Sequence, residues 1–292
     1  MINDLTYGQP ITEIIQARYS CRNYADRAIE EEKQERLRAF IAANSIGPFG
    51  TPARFKLVTA AERDREELRG LGTYGFIKGA TGFIIGAVEE SGRGLEDFGY
   101  LMEQIILFAT DLGLGTCWLG GSFNKSNFSA RISARETETV PAVTSIGYAA
   151  EKPRLLGRLI RRQANSDRRK PWEELFFLQE FGAPLSHEAA GPYAVPLDMV
   201  RLGPSASNKQ PWRIVKDGAA WHLYLQRTKG YRDRNWGILR IADMQRIDIG
   251  IAMCHLELAA RELGLPGDWQ DQDPAIELPD TLTEYTVSWV AG

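Results

Sequence analysis

One segment of this chain occurs twice, and the repeat limits the folds that the chain can adopt. Residues 97–118 and 248–269 align without a gap at a constant offset of 151, and nine of their 22 positions are identical. Unrelated segments of ordinary composition would share roughly one or two. A period this long predicts a duplicated domain half, although two amphipathic helices that converged independently would also share part of the pattern. The identical pairs are Asp97/Asp248, Gly99/Gly250, Met102/Met253, Leu107/Leu258, Ala109/Ala260, Leu112/Leu263, Gly113/Gly264, Leu114/Leu265 and Trp118/Trp269.

The composition is that of a globular protein and excludes several functional classes. The chain has 292 residues, of which 43% are hydrophobic and 25% charged, and its net charge of −3 gives no reason to expect nucleic acid or an anionic membrane as a partner. Three scattered cysteines offer neither a disulfide framework nor a CxxC metal site. The chain shows no signal-peptide pattern and no apolar stretch of about 18 residues, so we expect a cytoplasmic protein without a membrane span.

Helical and strand periodicities alternate along the chain, which predicts an α+β protein. We expect two related halves, 1–165 and 166–292, that pack as one intertwined unit. The patterns predict helices at 11–18, 30–44, 62–70, 101–112 and 242–263, and strands at 55–59, 82–88, 140–148, 211–215, 220–225 and 284–290.

Arg18, Ser20 and Arg22 occupy alternate positions near the start of the chain. In an extended segment such positions face the same side, so two guanidinium groups and a hydroxyl would converge on one point. This set suits a phosphate group, which accepts bidentate, charge-assisted hydrogen bonds from arginine. A solvated basic turn would have the same pattern.

Two further segments could approach a flat ligand closely. Residues 203–212 place small hydroxyl residues and an asparagine between two prolines, just before a strand, although an ordinary proline-bounded turn would look the same. Residues 113–121 carry glycines that end the preceding helix and allow close backbone approach. A helix cap with a packed Trp118 would account for the first of these glycines, but not for Gly120 and Gly121.

Together these segments resemble the FMN-dependent nitroreductase family, whose members carry R-x-S-x-R, P-S-x-x-N-x-Q-P-W and G-L-G-x-x-W-x-x-G motifs. The family's basic tail, R-K-P-x-E-E, is matched at 169–174. Within the family, the chain is most similar to single-chain nitroreductases, in which a duplicated chain imitates the usual homodimer. The resemblance implies an α+β, nitroreductase-like fold with two pseudo-symmetric halves and mainly antiparallel sheets around central buried helices.

The two halves have lost opposite parts of the family's flavin site. In family dimers each flavin lies between subunits, with the arginine and glycine motifs from one and the P-S-x-x-N loop from the other. Here the first half has G-P-F-G-T-P-A at 47–53 in place of that loop, and the second half has no Lys or Arg at 171–200. The resemblance therefore implies one FMN per chain. The implied cofactor-binding residues are Arg18, Tyr19, Ser20, Arg22, Thr73, Leu119, Gly120, Gly121, Arg169, Lys170, Pro204, Ser205, Ala206 and Asn208.

The function implied is an FMN-dependent oxidoreductase that takes hydride from NADH or NADPH and reduces nitroaromatic, quinone or similar flat acceptors by a ping-pong mechanism. The flavin would carry the chemistry, so no catalytic side chain and no metal are expected. Gly120 stands where the family usually has an acidic residue, and Thr73 where it has an asparagine. These departures leave open a non-catalytic carrier or sensor that binds flavin or a nucleotide. We expect a small-molecule acceptor as partner, and a monomer that mimics the family dimer.

Overall fold

Two five-stranded sheets flank a central pair of helices. The structure, a computed structural model, describes residues 6–60, 68, 70–150, 168–231 and 242–292. Its helices are α1 (Ile11–Ala17), α2 (Glu31–Ala43), α3 (Gly94–Asp111), α4 (Lys125–Arg131), α5 (His187–Ala190), α6 (Ala194–Leu202) and α7 (Met244–Glu262). Its strands are β1 (Ala53–Thr59), β2 (Gly82–Glu89), β3 (Gly115–Leu119), β4 (Glu138–Thr139), β5 (Val143–Gly147), β6 (Phe176–Leu178), β7 (Trp212–Asp217), β8 (Ala220–Gln226), β9 (Gly267–Gln270) and β10 (Thr283–Ala291).

The two sheets share one strand order. The first runs β1-β2-β5-β3, with β4 paired to β2, and all of its pairs are antiparallel. The second runs β6-β7-β8-β10-β9, and only the added edge strand β6 is parallel to its neighbour. Without β6, the strand that follows each long helix lies at one edge in both sheets. These edge strands carry the paired tryptophans, Trp118 on β3 and Trp269 on β9.

Helices α3 and α7 form the core and bury their apolar residues against each other and against the sheets. Helix α3 packs on β1, β2 and β3, whereas α7 packs on β7 and β8. Both helices are buried on nearly all sides, as expected for sequences that are apolar all round. The central helices therefore connect the two sheets into one hydrophobic core.

The helices cross at two glycines so closely that neither position has room for a side chain. A Cβ atom on Gly99 would lie 2.2 Å from the carbonyl oxygen of Ile247, and one on Gly250 would lie 2.0 Å from that of Glu96. At the offset of 151, Glu96 corresponds to Ile247 and Gly99 to Gly250. The two contacts are therefore reciprocal, which is the arrangement that a twofold axis through the crossing produces.

The predicted fold class is confirmed, since the structure combines helices with mainly antiparallel sheets. Helix α3 begins at Gly94 rather than at 101, because the acidic residues of its first turn interrupt the apolar pattern while suiting a helix N-terminus. The predicted helix at 62–70 and the boundary at 165/166 lie largely outside the described residues, so the division into halves and the duplication stay predictions. All three cysteines are free and buried. None of the described helices is long and apolar enough to cross a membrane.

The glycine crossing makes a prediction about stability. Alanine normally favours a helix over glycine by about 1 kcal/mol. Here the added methyl group meets backbone, which cannot move aside as a side chain can, so Gly99→Ala and Gly250→Ala should each destabilise the protein by about 1–3 kcal/mol. Urea unfolding measures the change. Gly92→Ala is the matched control, because a Cβ at that exposed position meets nothing within 4 Å. Variants at 99 and 250 that are as stable as the wild type would contradict the close crossing.

Candidate functional site

A cavity of about 550 Å³ is lined by residues 20–122 and by residues 204–251. The earlier residues include the end of the arginine motif and the double glycine, and the later ones include the polar loop and one face of α7. Its lining residues are Ser20, Arg22, Phe76, Trp118, Gly120, Gly121, Ser122, Pro204, Ser205, Ala206, Ser207, Tyr231, Met244, Ile247, Asp248 and Ile251. We call this the composite cavity.

The arginine motif reaches the composite cavity because it extends along the edge strand β3. Ser20 forms a parallel bridge with Thr116, and the amide of Cys21 donates to the Thr116 carbonyl at 2.8 Å. Alternation along this extended segment buries Cys21 and turns Ser20 and Arg22 into the cavity. Within the described ranges, the Arg22 guanidinium makes no hydrogen bond or ion pair, so its donors are available to a ligand.

Arg18, two positions earlier, belongs to a buried network between the central helices. Its Nε lies 3.8 Å from a Glu103 carboxylate oxygen, and its side chain is only 6% exposed. The other partners of Glu103 are Trp118, whose Nε1 donates at 2.7 Å, and His255, whose Nε2 lies at 3.0 Å. His255 Nδ1 faces the Met199 carbonyl at 2.8 Å. Since that carbonyl can only accept, Nδ1 carries a proton, and a second proton lies between Nε2 and Glu103.

The surroundings of Glu103 favour its ionised form. Burial alone would raise the pKa of this carboxyl, but the hydrogen bond and charge of His255, followed by Arg18 and Trp118, lower it below its ordinary value. A buried carboxylate needs such partners. The structure therefore assigns Arg18 a place in the helix interface, beside the composite cavity rather than in its lining.

The double glycine distinguishes the composite cavity from the position that corresponds to it at the offset of 151. A Cβ on Gly120 would lie 2.3 Å from Met244 Cε, so glycine at this position makes room for a methionine in the cavity wall. At the offset of 151, Gly120 corresponds to Asp271 and Met244 to Arg93. These two residues form an ion pair, with Arg93 Nη2 2.9 Å from Asp271 Oδ1. The Arg93 guanidinium also lies over the Phe49 ring, 5.3 Å from its centroid.

The paired aspartates of the central helices hold the two loops that face these positions. Asp97 accepts the amides of Phe49 at 2.9 Å and Thr51 at 2.8 Å, one on each carboxylate oxygen. Asp248 accepts a single amide, that of Ala206, which lies 3.0 Å from one oxygen and 3.2 Å from the other. Burial raises the pKa of both carboxyls above the ordinary value, and raises it much further at Asp248, which has fewer donors.

The polar loop that supplies Ala206 has an unusual backbone. Ser207, Asn208 and Gln210 have φ angles of 51°, 54° and 48°, although none is glycine. Non-glycine residues rarely adopt this left-handed conformation, and such residues often cluster at functional sites. Hydrogen bonds that involve side chains hold the loop in place. Arg169 Nη1 donates to Asn208 Oδ1 at 3.0 Å, and the backbone amide of Gln210 donates to Ser205 Oγ at 2.9 Å.

The structure brings half of the predicted site residues together in the composite cavity and distributes the others around it. The predicted residues that line it are Ser20, Arg22, Gly120, Gly121, Pro204, Ser205 and Ala206. Arg169, Lys170 and Asn208 line a neighbouring basic cavity instead. Thr73 and Leu119 are buried nearby, outside the lining, and Arg18 lies in the helix interface. Tyr19 is partly buried and belongs to the extended segment that runs along β3.

The motif analysis missed most of the apolar wall and its buried carboxyl. Ile247, Asp248 and Ile251 lie at helical spacing on α7, and Met244 begins that helix. Their only sequence signal was the repeated aspartate, which gave no indication that it faces a cavity. Phe76 lines the cavity although it lies in a loop and is 57% exposed. Within the described residues, no group of three potential metal ligands occurs.

Comparison with known proteins adds a family to this geometry. The sequence model of the family described as "Putative TM nitroreductase" matches residues 10–260. No curated protein matches the chain significantly.

Among solved structures, the chain is similar over its whole length to a putative nitroreductase from Thermotoga maritima. The two are 20% identical with a TM-score of 0.61, covering 98% of this chain and 95% of the other. A nitroreductase family protein from Clostridium difficile is 23% identical with a TM-score of 0.41, covering 56% of this chain and 94% of its own. A nitroreductase with bound FMN from Desulfitobacterium hafniense is 19% identical with a TM-score of 0.41, covering 52% and 92%.

The two paired aspartates give a matched test of the loop contacts. Asparagine at 97 can accept only one of two amides and turns an NH₂ group toward the other, so Asp97→Asn should lower the free energy of unfolding by about 1–3 kcal/mol at neutral pH. At 248 one oxygen can serve the single Ala206 amide, so Asp248→Asn should cost little or should stabilise. Urea unfolding measures both changes.

The pH dependence of the free energy of unfolding further distinguishes Asp97→Asn from Asp248→Asn. Because the folded-state pKa of Asp248 is raised above 3.8, its favourable contribution to stability is present below that pH and is lost as the pH rises through the folded value. Asp248→Asn should remove this loss. Equal destabilisation by the two substitutions, with unchanged pH dependence, would contradict the description of the loops.

Proposed function

The chain belongs to this nitroreductase family, and on that premise we propose that it is an FMN-dependent oxidoreductase with one flavin per chain. In this proposal NADH or NADPH donates hydride, and a flat acceptor such as a nitroaromatic or a quinone is reduced in a second half-reaction, by a ping-pong mechanism. The single observation that carries the proposal is the composite cavity, to which the first half contributes Ser20, Arg22 and the double glycine and the second half contributes 204–207.

The chemistry of the composite cavity fits a flavin nucleotide. Its volume of about 550 Å³ is within the range of small-molecule sites. Trp118, Ile247 and Ile251 provide apolar surface for a planar ring system, whereas the Arg22 guanidinium and the Ser20 hydroxyl provide donors for a phosphate.

When bound, the flavin supplies the hydride chemistry, so the protein has to bind and orient it. We propose that Arg22 and Ser20 bind its phosphate and that backbone N–H groups at Gly120 and Gly121 donate toward the reactive edge of the ring. Ser205 and Ala206 would contact the ring from the other half. Phe76, at the exposed side of the cavity, would limit the access of water to the bound reactants.

We propose that the remaining predicted residues act indirectly, by supporting the residues that contact the flavin. Arg169 fixes Asn208 by a hydrogen bond and so holds the polar loop. Arg18, together with His255, helps to keep Glu103 ionised beneath the start of the motif. Thr73, Leu119 and Tyr19 would pack against the residues that line the composite cavity. Lys170 lines the neighbouring basic cavity and is given no role at the flavin.

We propose that one chain is sufficient for function and that the protein is a monomer that mimics the family dimer. The support is the reciprocal contact of Gly99 and Gly250, which joins the halves within a single chain. The related position in the other half carries the Arg93–Asp271 ion pair and Phe49 instead of a cationic group facing small residues. This arrangement supports one flavin per chain rather than two.

The phosphate assignment predicts that Arg22→Gln weakens FMN binding by about 1.5–3 kcal/mol, the range of a hydrogen bond to a charged group. Flavin titration followed by fluorescence quenching measures the affinity. Arg38→Gln is the control, because Arg38 is a surface residue paired with Glu31 and lies outside both cavities. Equal affinities of wild type and Arg22→Gln would contradict the assignment.

The proposed activity is tested by adding NADH or NADPH to the flavin-loaded protein without oxygen. Bleaching of the flavin absorbance, followed by its return when a quinone is added, is the expected result. Flavin that binds but is reduced by neither nucleotide would refute the enzyme and support the non-catalytic carrier. The absence of flavin binding would refute both.

A further inference from the structure

A second cavity, of about 560 Å³, adjoins the composite cavity and shares Ser207 with it. Among the residues that the structure describes, its lining carries six cationic side chains and one acidic one, which gives this part of the lining a strongly positive charge. The cationic residues are Arg168, Arg169, Lys170, Lys209, Arg213 and Arg227, and the acidic residue is Glu174. We call this the basic cavity.

Arg213 is the buried centre of this charge. Arg213 is only 6% exposed. Its Nη1 donates to the backbone carbonyls of Trp212 at 2.6 Å and Gln210 at 3.1 Å. These bonds orient the guanidinium without neutralising it, and no carboxylate of the described chain lies within 4 Å of it. Burial lowers the pKa of Arg213 to about 10, although Glu174 and Asp280 act in the opposite direction.

Among the described residues, the neighbours of Arg213 compensate its charge only in part. Lys170 has one carboxylate nearby, that of Glu174 at 3.8 Å, and burial followed by the charges of Arg213 and Lys209 lowers the pKa of its ammonium group. Arg227, by contrast, is already paired with two acidic residues outside the lining. A buried cation without a close counter-charge is unfavourable, so Arg213 favours an anion in this cavity.

A phosphomonoester is the anion that this arrangement fits. It carries close to two negative charges and has three acceptor oxygens, and planar guanidinium groups bind it in bidentate fashion. In the proposed function, Ser20 and Arg22 of the composite cavity bind the flavin phosphate, which would leave the basic cavity for a second phosphate group. Ser207 lines both cavities, so the two are direct neighbours.

We propose that the basic cavity binds the 2′-phosphate of NADPH, and that it thereby selects NADPH over NADH. The inference rests on the proposed function and specifies its electron donor. With the nicotinamide over the ring in the composite cavity, the adenosine end of the dinucleotide enters the basic cavity. The 2′-phosphate, which distinguishes NADPH from NADH, is a group that arginine binds in other dinucleotide sites.

The kinetic test uses the flavin-loaded enzyme and two variants, Arg213→Gln in the buried part of the basic cavity and Lys209→Gln at its exposed side. Each should lower kcat/KM for NADPH by about tenfold or more, since charge-assisted hydrogen bonds to the phosphate are lost. The value for NADH should change by less than about twofold, because NADH lacks that phosphate. Arg38→Gln and Lys56→Gln are matched controls outside both cavities. Equal losses with both nucleotides would overturn the inference.

A binding test does not depend on turnover. Calorimetry with adenosine 2′,5′-bisphosphate should give an affinity about tenfold or more above that of adenosine 5′-monophosphate, and the difference should disappear in Arg213→Gln. Equal affinities for the two probes would overturn the inference, as would inorganic phosphate binding as tightly as the bisphosphate. A fall in FMN affinity in Arg213→Gln, with an unchanged nucleotide preference, would assign the cavity to the flavin phosphate instead.

The two proposals fail in different ways. If the flavin is reduced equally by both nucleotides, and both probes bind alike, the proposed function stands and the basic cavity does not select NADPH. If neither nucleotide reduces the flavin but the bisphosphate binds selectively, the proposed enzyme is refuted while the phosphate site is retained.

Discussion

The close crossing of α3 and α7 is the contact on which the rest of the structure depends. Gly99 and Gly250 let each helix approach the backbone of the other, and any side chain there would force the two helices apart. The crossing fixes α7 opposite β3, so that Met244 on the helix meets Gly120 at the end of the strand. It also places Asp248 where it can hold the polar loop against the cavity. The composite cavity therefore follows from helix packing.

Near-symmetry at the crossing gives two related positions, and a few side chains make them different. On one side Gly120 faces Met244, and the cavity there includes the Arg22 guanidinium. On the other side the corresponding residues are Asp271 and Arg93, which neutralise each other. An ion pair between partners in contact leaves little charge for a phosphate, whereas an arginine without a carboxylate partner is suited to one. The proposed single flavin per chain rests on this difference.

Sequence patterns predicted the long helices, most strands and the α+β class, because periodicity and repetition report local structure and large-scale packing. Short elements escaped: β3 is five residues that begin with glycine, and α6 contains Pro196. The motifs predicted that Ser20 and Arg22 face the same side, since alternation along an extended segment is local, and both line the composite cavity. They could not separate Arg18 from these two, because its contact with Glu103 depends on tertiary packing. The basic cavity joins residues from three distant segments, and no pattern in one segment reports that.

The flavin content of the reconstituted protein tests the central claim, that opposite losses in the two halves leave one composite site. Protein saturated with FMN and freed of excess cofactor is denatured, and the released flavin is counted against the chain concentration. The account predicts a ratio close to one flavin per chain, because the position beside Phe49 holds the Arg93–Asp271 ion pair in place of an available cation. A ratio close to two would contradict it.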